Sequence, residues 1–268
     1  MTASIAQETL TIVGQGRYRG PSRAVDVRAA VDAAVGGTLL YEPHRLSELE
    51  PGRDSPATSA ARIEVTGETT GAAARRLGGD VLALNFASAK NPGGGFLRGA
   101  KAQEEDLARC SALYTCQLEK RRYYDENRAC GTLLYTDHLI YSPRVPFFRG
   151  EDLCLLDEPF LVSIVTSPAP NAGEVMRNEP KSVRRIADVL HARAGHVLAV
   201  ARHHGHRHLV LGAWGCGVFH NDPLMVARSF HRHLHSERFA DAFERVVFAV
   251  YDRSRKRDNF RAFEATFV

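Results

Sequence analysis

NPGGGFLRGAKAQEE, residues 91–105, follows an apolar run at 81–84 that predicts a buried strand and precedes a segment, 106–118, with helical character. Three successive glycines lack a Cβ atom, so this backbone can approach a ligand closely and direct N–H groups towards an anion. Gln103, Glu104 and Glu105 then supply polar groups beside that ligand. A glycine loop next to carboxylates favours recognition or cleavage of a phosphate-bearing sugar.

Composition limits the class of protein to which the chain can belong. The chain has 268 residues, of which 44% are hydrophobic and 25% charged, as in ordinary globular proteins. It has no apolar run long enough to cross a bilayer and no secretory signal pattern at its N-terminus. The net charge of +4 is a mild bias towards anionic ligands, too small to predict specific nucleic-acid binding. Five cysteines without metal-type spacing indicate free thiols and a cytoplasmic protein.

From residue 61 onwards, strand and helix patterns alternate, which predicts an α/β fold with a mostly parallel sheet. The proline-rich segment 43–59 predicts a connecting loop, so we expect an N-terminal extension over 1–60, packed on a main domain over 61–268. In the extension, 4–13 predicts a helix and 38–41 a strand, while 25–35 fits either a strand end or a helix. The main-domain predictions are strands at 62–65, 81–86, 160–165, 209–211 and 246–250, helices at 69–77, 106–118, 181–203 and 223–235, and a hairpin pairing 133–135 with 139–141.

GGG at 93–95 followed by QEE at 103–105 resembles the signature of poly(ADP-ribose) glycohydrolases of the compact bacterial type, which are built on a macrodomain. Further matching features run from about residue 63 to 219. The resemblance implies a three-layer α/β/α macrodomain-like sandwich with a mixed, mostly parallel sheet. It also implies an exo-type enzyme that hydrolyses the ribose–ribose O-glycosidic bond of poly(ADP-ribose) and releases ADP-ribose, without a metal or other cofactor. The expected partners are poly(ADP-ribose) or ADP-ribosylated proteins, and no membrane.

The two adjacent glutamates need different roles. On a helix their side chains diverge by about 100°. The usual glycosidase carboxylates face each other across the scissile bond, about 5–9 Å apart, which adjacent helical residues fit poorly. One glutamate acting as acid and then base, with the other holding a ribose hydroxyl, is more natural. The resemblance assigns the acid–base role to Glu105 and substrate positioning to Glu104; the alternative is an ordinary solvated helix start.

A second glycine loop, GAWGCGVF at 212–219, follows the apolar run 209–211 and resembles the family's diphosphate-binding loop. Backbone N–H groups of this loop could wrap a pyrophosphate. Phe219 could stack on a ribose or cap the cleft, or simply pack in the core. A nucleophilic role for the one cysteine in the loop is disfavoured, because no histidine or acid lies at a suitable spacing. The predicted binding residues here are Gly215, Cys216, Gly217, Val218 and Phe219.

Four more residues are candidates. Glu68 and Thr69 follow a predicted strand and resemble the macrodomain turn whose acidic residue holds the adenine amino group; the alternative is that Glu68 favours a helix N-terminus. Asn85 and Asn91 could hydrogen-bond ribose hydroxyls, although Asn91 precedes a proline and also suits a turn. The histidines at 203–208 and 231–235 lack a metal-binding pattern and are expected to be solvated surface residues.

Two other functions fit the same adenosine and diphosphate sites. One is a non-catalytic module that binds ADP-ribose ends, for which Glu105 would be unnecessary. The other is a hydrolase that removes single ADP-ribose units from proteins or nucleic acid, and the sequence does not separate it from a polymer-cleaving enzyme.

Overall fold

The computed structural model describes residues 2–49 and 61–268. Its helices are α1 (Thr2–Gln15), α2 (Arg28–Gly36), α3 (Pro43–Leu46), α4 (Thr70–Leu77), α5 (Gln103–Cys110), α6 (Leu113–Leu118), α7 (Arg121–Ala129), α8 (Ala172–Asn178), α9 (Ile186–His203), α10 (Pro223–Leu234) and α11 (Asp258–Phe267). Its strands are β1 (Arg17–Arg19), β2 (Ala24–Asp26), β3 (Leu39–Tyr41), β4 (Arg62–Thr66), β5 (Val81–Phe86), β6 (Leu139–Arg149), β7 (Leu155–Ser167), β8 (His208–Leu211) and β9 (Arg245–Ala249).

Seven strands form the main sheet in the order β3-β6-β7-β5-β8-β9-β4. The strands from β7 to β4 in that order pair in parallel, whereas β3–β6 and β6–β7 pair antiparallel. The predicted mixed, mostly parallel sheet is therefore confirmed.

Both faces of the sheet are buried. Successive side chains of a strand point to opposite faces, and in β5 Leu82 and Leu84 join one apolar cluster with residues of α9, α10 and α11. Val81 and Ala83 join a second cluster with residues of α1, α2, α4, α5 and α6. This division explains the continuous apolar run at 81–84, because a strand covered on both faces needs no polar side. The arrangement is the three-layer α/β/α sandwich that the resemblance implied.

The fold brings the two glycine loops to the same edge of the sheet. β5 and β8 are adjacent and parallel, with Leu82 opposite Leu209. The loop that follows β5 and the loop that follows β8 therefore both start at the carboxyl ends of neighbouring strands, where ligands bind in open α/β sheets.

The predicted hairpin between 133–135 and 139–141 is wrong. Residues 133–135 form a turn, in which the Leu133 N–H donates to a Glu179 carboxylate oxygen (2.6 Å) and the Thr132 hydroxyl donates to the other (2.6 Å). A side chain thus binds the Leu133 N–H, a group that a strand ladder would have used. The hairpin of this region instead joins the longer strands β6 and β7.

The predicted helix over 106–118 is two helices, of which the first starts earlier, at Gln103. The chain becomes extended at Ser111 (φ −147°, ψ 179°) and forms a β-bridge to Phe147 of β6.

Residues 25–35, for which the sequence fitted either a strand end or a helix, contain both: the end of strand β2 and helix α2. The C-terminal helix α11 was not predicted.

The N-terminal segment packs on the main sheet and on the first glycine loop. β3 extends the sheet by pairing with β6. From α1, the Thr2 hydroxyl donates to the Gly99 carbonyl (3.0 Å) and the Thr9 hydroxyl to the Arg109 carbonyl (2.7 Å). The boundary predicted at residue 60, and most of the loop predicted at 43–59, lie outside the described residues, so the division into extension and main domain stays a prediction. Over 2–49 and 61–268, no helix has the length and apolar character needed to cross a bilayer.

Candidate active site

The two glycine loops line one cavity of about 610 Å³, a size typical of small-molecule sites. Eleven of the predicted site residues line it: Thr69, Asn91, Gly94, Gly95, Gln103, Glu104, Glu105, Gly215, Gly217, Val218 and Phe219. The other four predicted residues, which do not line it, are Glu68, Asn85, Gly93 and Cys216.

Glu104 is held from three directions. One carboxylate oxygen accepts hydrogen bonds from the Asn85 amide (3.1 Å) and the Gln117 amide (2.9 Å), and the other accepts from the Ser88 N–H (2.7 Å). The side chain is only 3% exposed. Burial raises the pKa of Glu104 to about 7, and the three hydrogen bonds counteract it in part. Asn85 therefore supports a carboxylate and does not line the cavity, so its predicted contact with a ribose stays a prediction.

This burial predicts a pH-dependent contribution to stability. Between pH 4.5 and 7, the native state holds a proton at Glu104 more often than the unfolded state does. The unfolding free energy should then fall as pH rises through this window, by at most about 1.4 kcal/mol per pH unit. Urea unfolding at several pH values should show that the wild-type chain loses stability relative to Glu104→Gln as pH rises. An equal pH slope in both would contradict the prediction; the exposed Glu237→Gln serves as the matched control.

Glu105 is placed differently. One oxygen accepts a hydrogen bond from the Gly95 N–H (2.8 Å), while the other is buried and has no hydrogen-bond partner among the described residues. Three of the four oxygens of the glutamate pair are thus engaged by the protein. The fourth belongs to Glu105, a residue of the cavity lining, so this side chain is the one that keeps an oxygen without a hydrogen-bond partner among the described residues.

The GGG segment lies close against the two carboxylates, and its N–H groups are hydrogen-bonded within the protein. Gly93 donates its N–H to the Gln117 side-chain oxygen (2.9 Å), Gly94 to the Asn91 carbonyl (3.0 Å) and Gly95 to Glu105. The expectation that these N–H groups point at an anion is therefore wrong. Gly94 has φ +58°, and a Cβ there would lie 2.3 Å from a Glu105 oxygen. Glycine is required because the loop backbone closes directly over the carboxylate.

Gln103 connects the start of α5 to the sheet. Its side-chain oxygen accepts from the Phe86 N–H (2.8 Å), and its amide donates to the Leu84 carbonyl (2.8 Å) and the Thr70 hydroxyl (3.0 Å). All these partners belong to β5 or α4, so Gln103 fixes the helix that carries both glutamates. Its hydrogen bonds are those of a positioning residue.

The second loop is held by Asn221, which the sequence analysis missed. Its side-chain amide donates to the carbonyls of Pro170 (2.9 Å) and Gly215 (3.0 Å), and Gly215 adopts φ +73°. Cys216 donates its N–H to the Ala213 carbonyl (3.1 Å), so that group is already used. Within the described part of the chain, the Gly217 N–H makes no such bond and lies at the cavity, which leaves it free for an anion.

The environment of the Cys216 side chain disfavours a nucleophilic role. Burial raises the pKa of its thiol to about 12, so it stays neutral near pH 7. Its sulfur packs against the apolar cluster behind the loop.

Glu68 lies outside the cavity lining and pairs with Arg76 of α4, whose guanidinium donates to both carboxylate oxygens (2.9 and 2.8 Å). This pairing holds the pKa of Glu68 below its usual range. Thr69 caps α4 by accepting the Ala72 N–H (3.2 Å), and it does line the cavity. Thr69 is thus the capping residue, while Glu68 binds an arginine in the last turn of α4, so this geometry does not decide between a helix-start role and an adenine contact, and the adenine contact remains a prediction.

Several lining residues were not predicted. Phe86, Val250, Tyr251 and Asn259 lie at the cavity on the side of β5 and β9, and Tyr251 is 51% exposed. The sequence signal was the strand predicted at 246–250: in a mostly parallel sheet the residues that follow it should emerge at the same edge as the glycine loops, and β9 is indeed parallel to β8. Arg98 and Lys101, from the first loop, also line the cavity.

The expectation that the histidines are solvated surface residues is wrong for some of them. His206 is 3% exposed, bonds the Tyr141 hydroxyl (2.8 Å) and lies 3.2 Å from an Asp80 oxygen; His204 bonds the Tyr41 hydroxyl (2.8 Å). They complete the packing at the end of α9. No group of three or more His, Cys, Asp or Glu side chains in the described ranges is arranged to hold a metal ion.

Comparison with known proteins identifies the family. Residues 6–150 match the model of the microbial-type poly(ADP-ribose) glycohydrolase (PARG) catalytic domain. The chain belongs to the microbial-type PARG family. It is similar to the crystal structure of PARG from Thermomonospora curvata, with 49% identity, 99% of each chain covered and a TM-score of 0.94. A comparison with curated protein sequences gives no match.

Complexes with ligands are among the similar PARG structures. One is the Thermomonospora curvata enzyme bound to the inhibitor ADP-HPD, with 47% identity, 98% of each chain covered and a TM-score of 0.89. Another is PARG from Deinococcus radiodurans in complex with ADP-ribose, with 46% identity, 88% of this chain and 96% of that chain covered, and a TM-score of 0.83. This PARG-family chain is therefore similar, over most of its length, to one PARG structure bound to ADP-HPD and to another bound to ADP-ribose.

Proposed function

We propose that this microbial-type PARG is an exo-type poly(ADP-ribose) glycohydrolase, which cuts the ribose–ribose O-glycosidic bond at the polymer end and releases ADP-ribose. The observation that carries the proposal is that Glu105 lines the cavity shared by both glycine loops and keeps one carboxylate oxygen, itself buried, without a partner among the described residues. A general acid needs an oxygen free to meet the leaving group, and of the two glutamates Glu105 has it.

The lining suggests how ADP-ribose would lie. The adenosine end fits between Thr69, Phe86 and Tyr251, where the cavity offers apolar and aromatic surface. The diphosphate fits along residues 215–219, where the Gly217 N–H is available and Phe219 can cover a ribose. The distal ribose then reaches the glutamates at the start of α5.

In the proposed reaction, protonated Glu105 donates its proton to the leaving ribose oxygen as the glycosidic bond breaks. The oxocarbenium-like centre is stabilised by the neighbouring negative charges. Ionised Glu105 then takes a proton from the attacking water, so one group serves as acid and base. Glu104 is fixed by Asn85, Gln117 and Ser88, and its spare lone pairs can accept a ribose hydroxyl, which orients the sugar.

We further propose that the enzyme acts in the cytoplasm on polymer ends or on ADP-ribosylated proteins. All five cysteines are free, which is typical of a reducing compartment.

The test is to incubate the protein separately with poly(ADP-ribose) and with mono-ADP-ribosylated protein, and to follow free ADP-ribose. We expect release of monomeric ADP-ribose from the polymer. Binding of ADP-ribose without release from either substrate would indicate a reader module instead. Release only from the mono-ADP-ribosylated protein would indicate a mono-ADP-ribosyl hydrolase.

A further inference from the structure

Two positively charged side chains line the cavity and have no role in the proposed reaction. Among its described lining residues, Arg98 and Lys101 alone carry positive charge. Both side chains are exposed, and neither pairs with a carboxylate in the described ranges. Of the acidic residues at the same rim, Asp106 lies 3.7 Å from Arg109, and Glu151 also lines the cavity. These two cations are therefore available to an external anion.

The loop that carries them is fixed from several sides. The Thr2 hydroxyl donates to the Gly99 carbonyl, and Arg109 donates to the Ala100 carbonyl (2.5 Å). The Ala100 N–H donates back to the Gly95 carbonyl (3.2 Å). A Cβ at Gly95 would lie 2.8 Å from the Ala100 methyl group, so the two backbone segments are in close contact. Arg98 and Lys101 thus project from an anchored backbone, which reduces the entropy lost when they bind.

Arg98 and Lys101 lie close in sequence to the proposed general acid, Glu105. Gly95, whose N–H holds Glu105, directly precedes the 3-10 turn Phe96–Arg98, and Lys101 lies four residues before Glu105. The leaving ribose oxygen must come within hydrogen-bond reach of Glu105. The polymer unit attached to that oxygen therefore leaves past this loop. In poly(ADP-ribose), that unit carries a diphosphate.

The loop proposed for the diphosphate of the released ADP-ribose, residues 212–219, contains no lysine or arginine and would rely on backbone N–H groups. The two cations belong to the other loop, on the side of Glu105. We propose that Arg98 and Lys101 form a subsite for the phosphates of the leaving polymer unit, so that the enzyme prefers polymer to substrates with an uncharged leaving group. This inference rests on the proposed glycohydrolase function.

The test uses the double variant Arg98→Gln/Lys101→Gln on two substrates: poly(ADP-ribose), and ADP-ribose joined at its anomeric carbon to a neutral aryl leaving group. An exposed charge pair contributes at most about 1 kcal/mol, or about fivefold per contact, so KM for the polymer should rise by up to about 25-fold when both contacts are lost. The kcat on polymer, the rate on the aryl substrate and the affinity for free ADP-ribose should stay unchanged. Added salt should raise the polymer KM of the wild type more than that of the variant.

Lys90→Gln is the matched control, because Lys90 is exposed and close in sequence but does not line the cavity. The single variants Arg98→Gln and Lys101→Gln repeat the test if the double variant unfolds. An unchanged polymer KM, an equal loss on both substrates or an equal effect of Lys90→Gln would overturn the subsite. Failure of the wild-type protein to cleave either substrate would instead refute the glycohydrolase function.

Discussion

Glu105→Gln should slow cleavage of poly(ADP-ribose) by about 10²–10⁴-fold, the usual contribution of general acid–base catalysis, and towards the upper end because one group serves both half-reactions. The fold should survive. The glutamine carbonyl can still accept the Gly95 N–H, and its amide replaces the oxygen that has no partner among the described residues. Affinity for ADP-ribose should stay close to that of the wild type, because the shape is kept and only the transferable proton is lost.

Glu104→Gln provides the comparison. Its two oxygens accept three hydrogen bonds from the protein, all from N–H donors. A glutamine must turn its amide towards at least one of those donors, so it cannot keep the same position. We expect slower cleavage together with weaker binding of the substrate ribose, which is a positioning effect.

Single-turnover rates and a binding constant for each variant separate the two roles. If Glu105→Gln retained more than about a tenth of the wild-type rate, the loss would be below the smallest usual acid–base effect and the mechanism would be wrong. If only Glu104→Gln were inactive, the two glutamates would have exchanged roles.

Gly94→Ala should have the second-largest effect on the rate. Gly94 has φ +58°, which costs an alanine about 1–2 kcal/mol. The new methyl group would also lie 2.3 Å from a Glu105 oxygen and 3.1 Å from a Glu104 oxygen. One of the carboxylates has to move. Because a displacement of about 1 Å in a catalytic group can cost about 10²-fold, we expect a loss of at least that size in kcat/KM.

Gly78→Ala is the control for backbone strain alone. Gly78 also has a positive φ, +63°, with ψ 177°, a region that strains an alanine, but a Cβ there would have no heavy atom within 4 Å. It should lose stability without losing activity, as followed by thermal unfolding and polymer cleavage on the same samples. If the two alanine variants had equal activity, the close approach of Gly94 to the carboxylates would have no catalytic importance.

Local sequence determined the elements that dominate the fold. The apolar runs at 81–84 and 209–211 are buried strands. A strand that is covered on both faces of the sheet has no polar side, so its sequence is continuously apolar and can be recognised locally. Each run is followed by a glycine loop, and strand adjacency brings both loops to one cavity. The divergence of adjacent helical residues predicts different environments for Glu104 and Glu105, and their environments do differ.

Only the tertiary structure decided how the polar groups are shared. Sequence order does not show that Gln117 and Ser88 donate hydrogen bonds to Glu104. It also does not show that Asn221 donates to the Gly215 carbonyl of the second loop, or that Arg76 pairs with Glu68. Nor does it show that the N–H groups of 93–95 are used inside the protein. The physical reason is that a buried donor or acceptor must find a partner, and when distant segments meet, many partners compete. Hydrophobic periodicity is a local property of the chain, whereas the pairing of hydrogen bonds is settled only when the segments have packed.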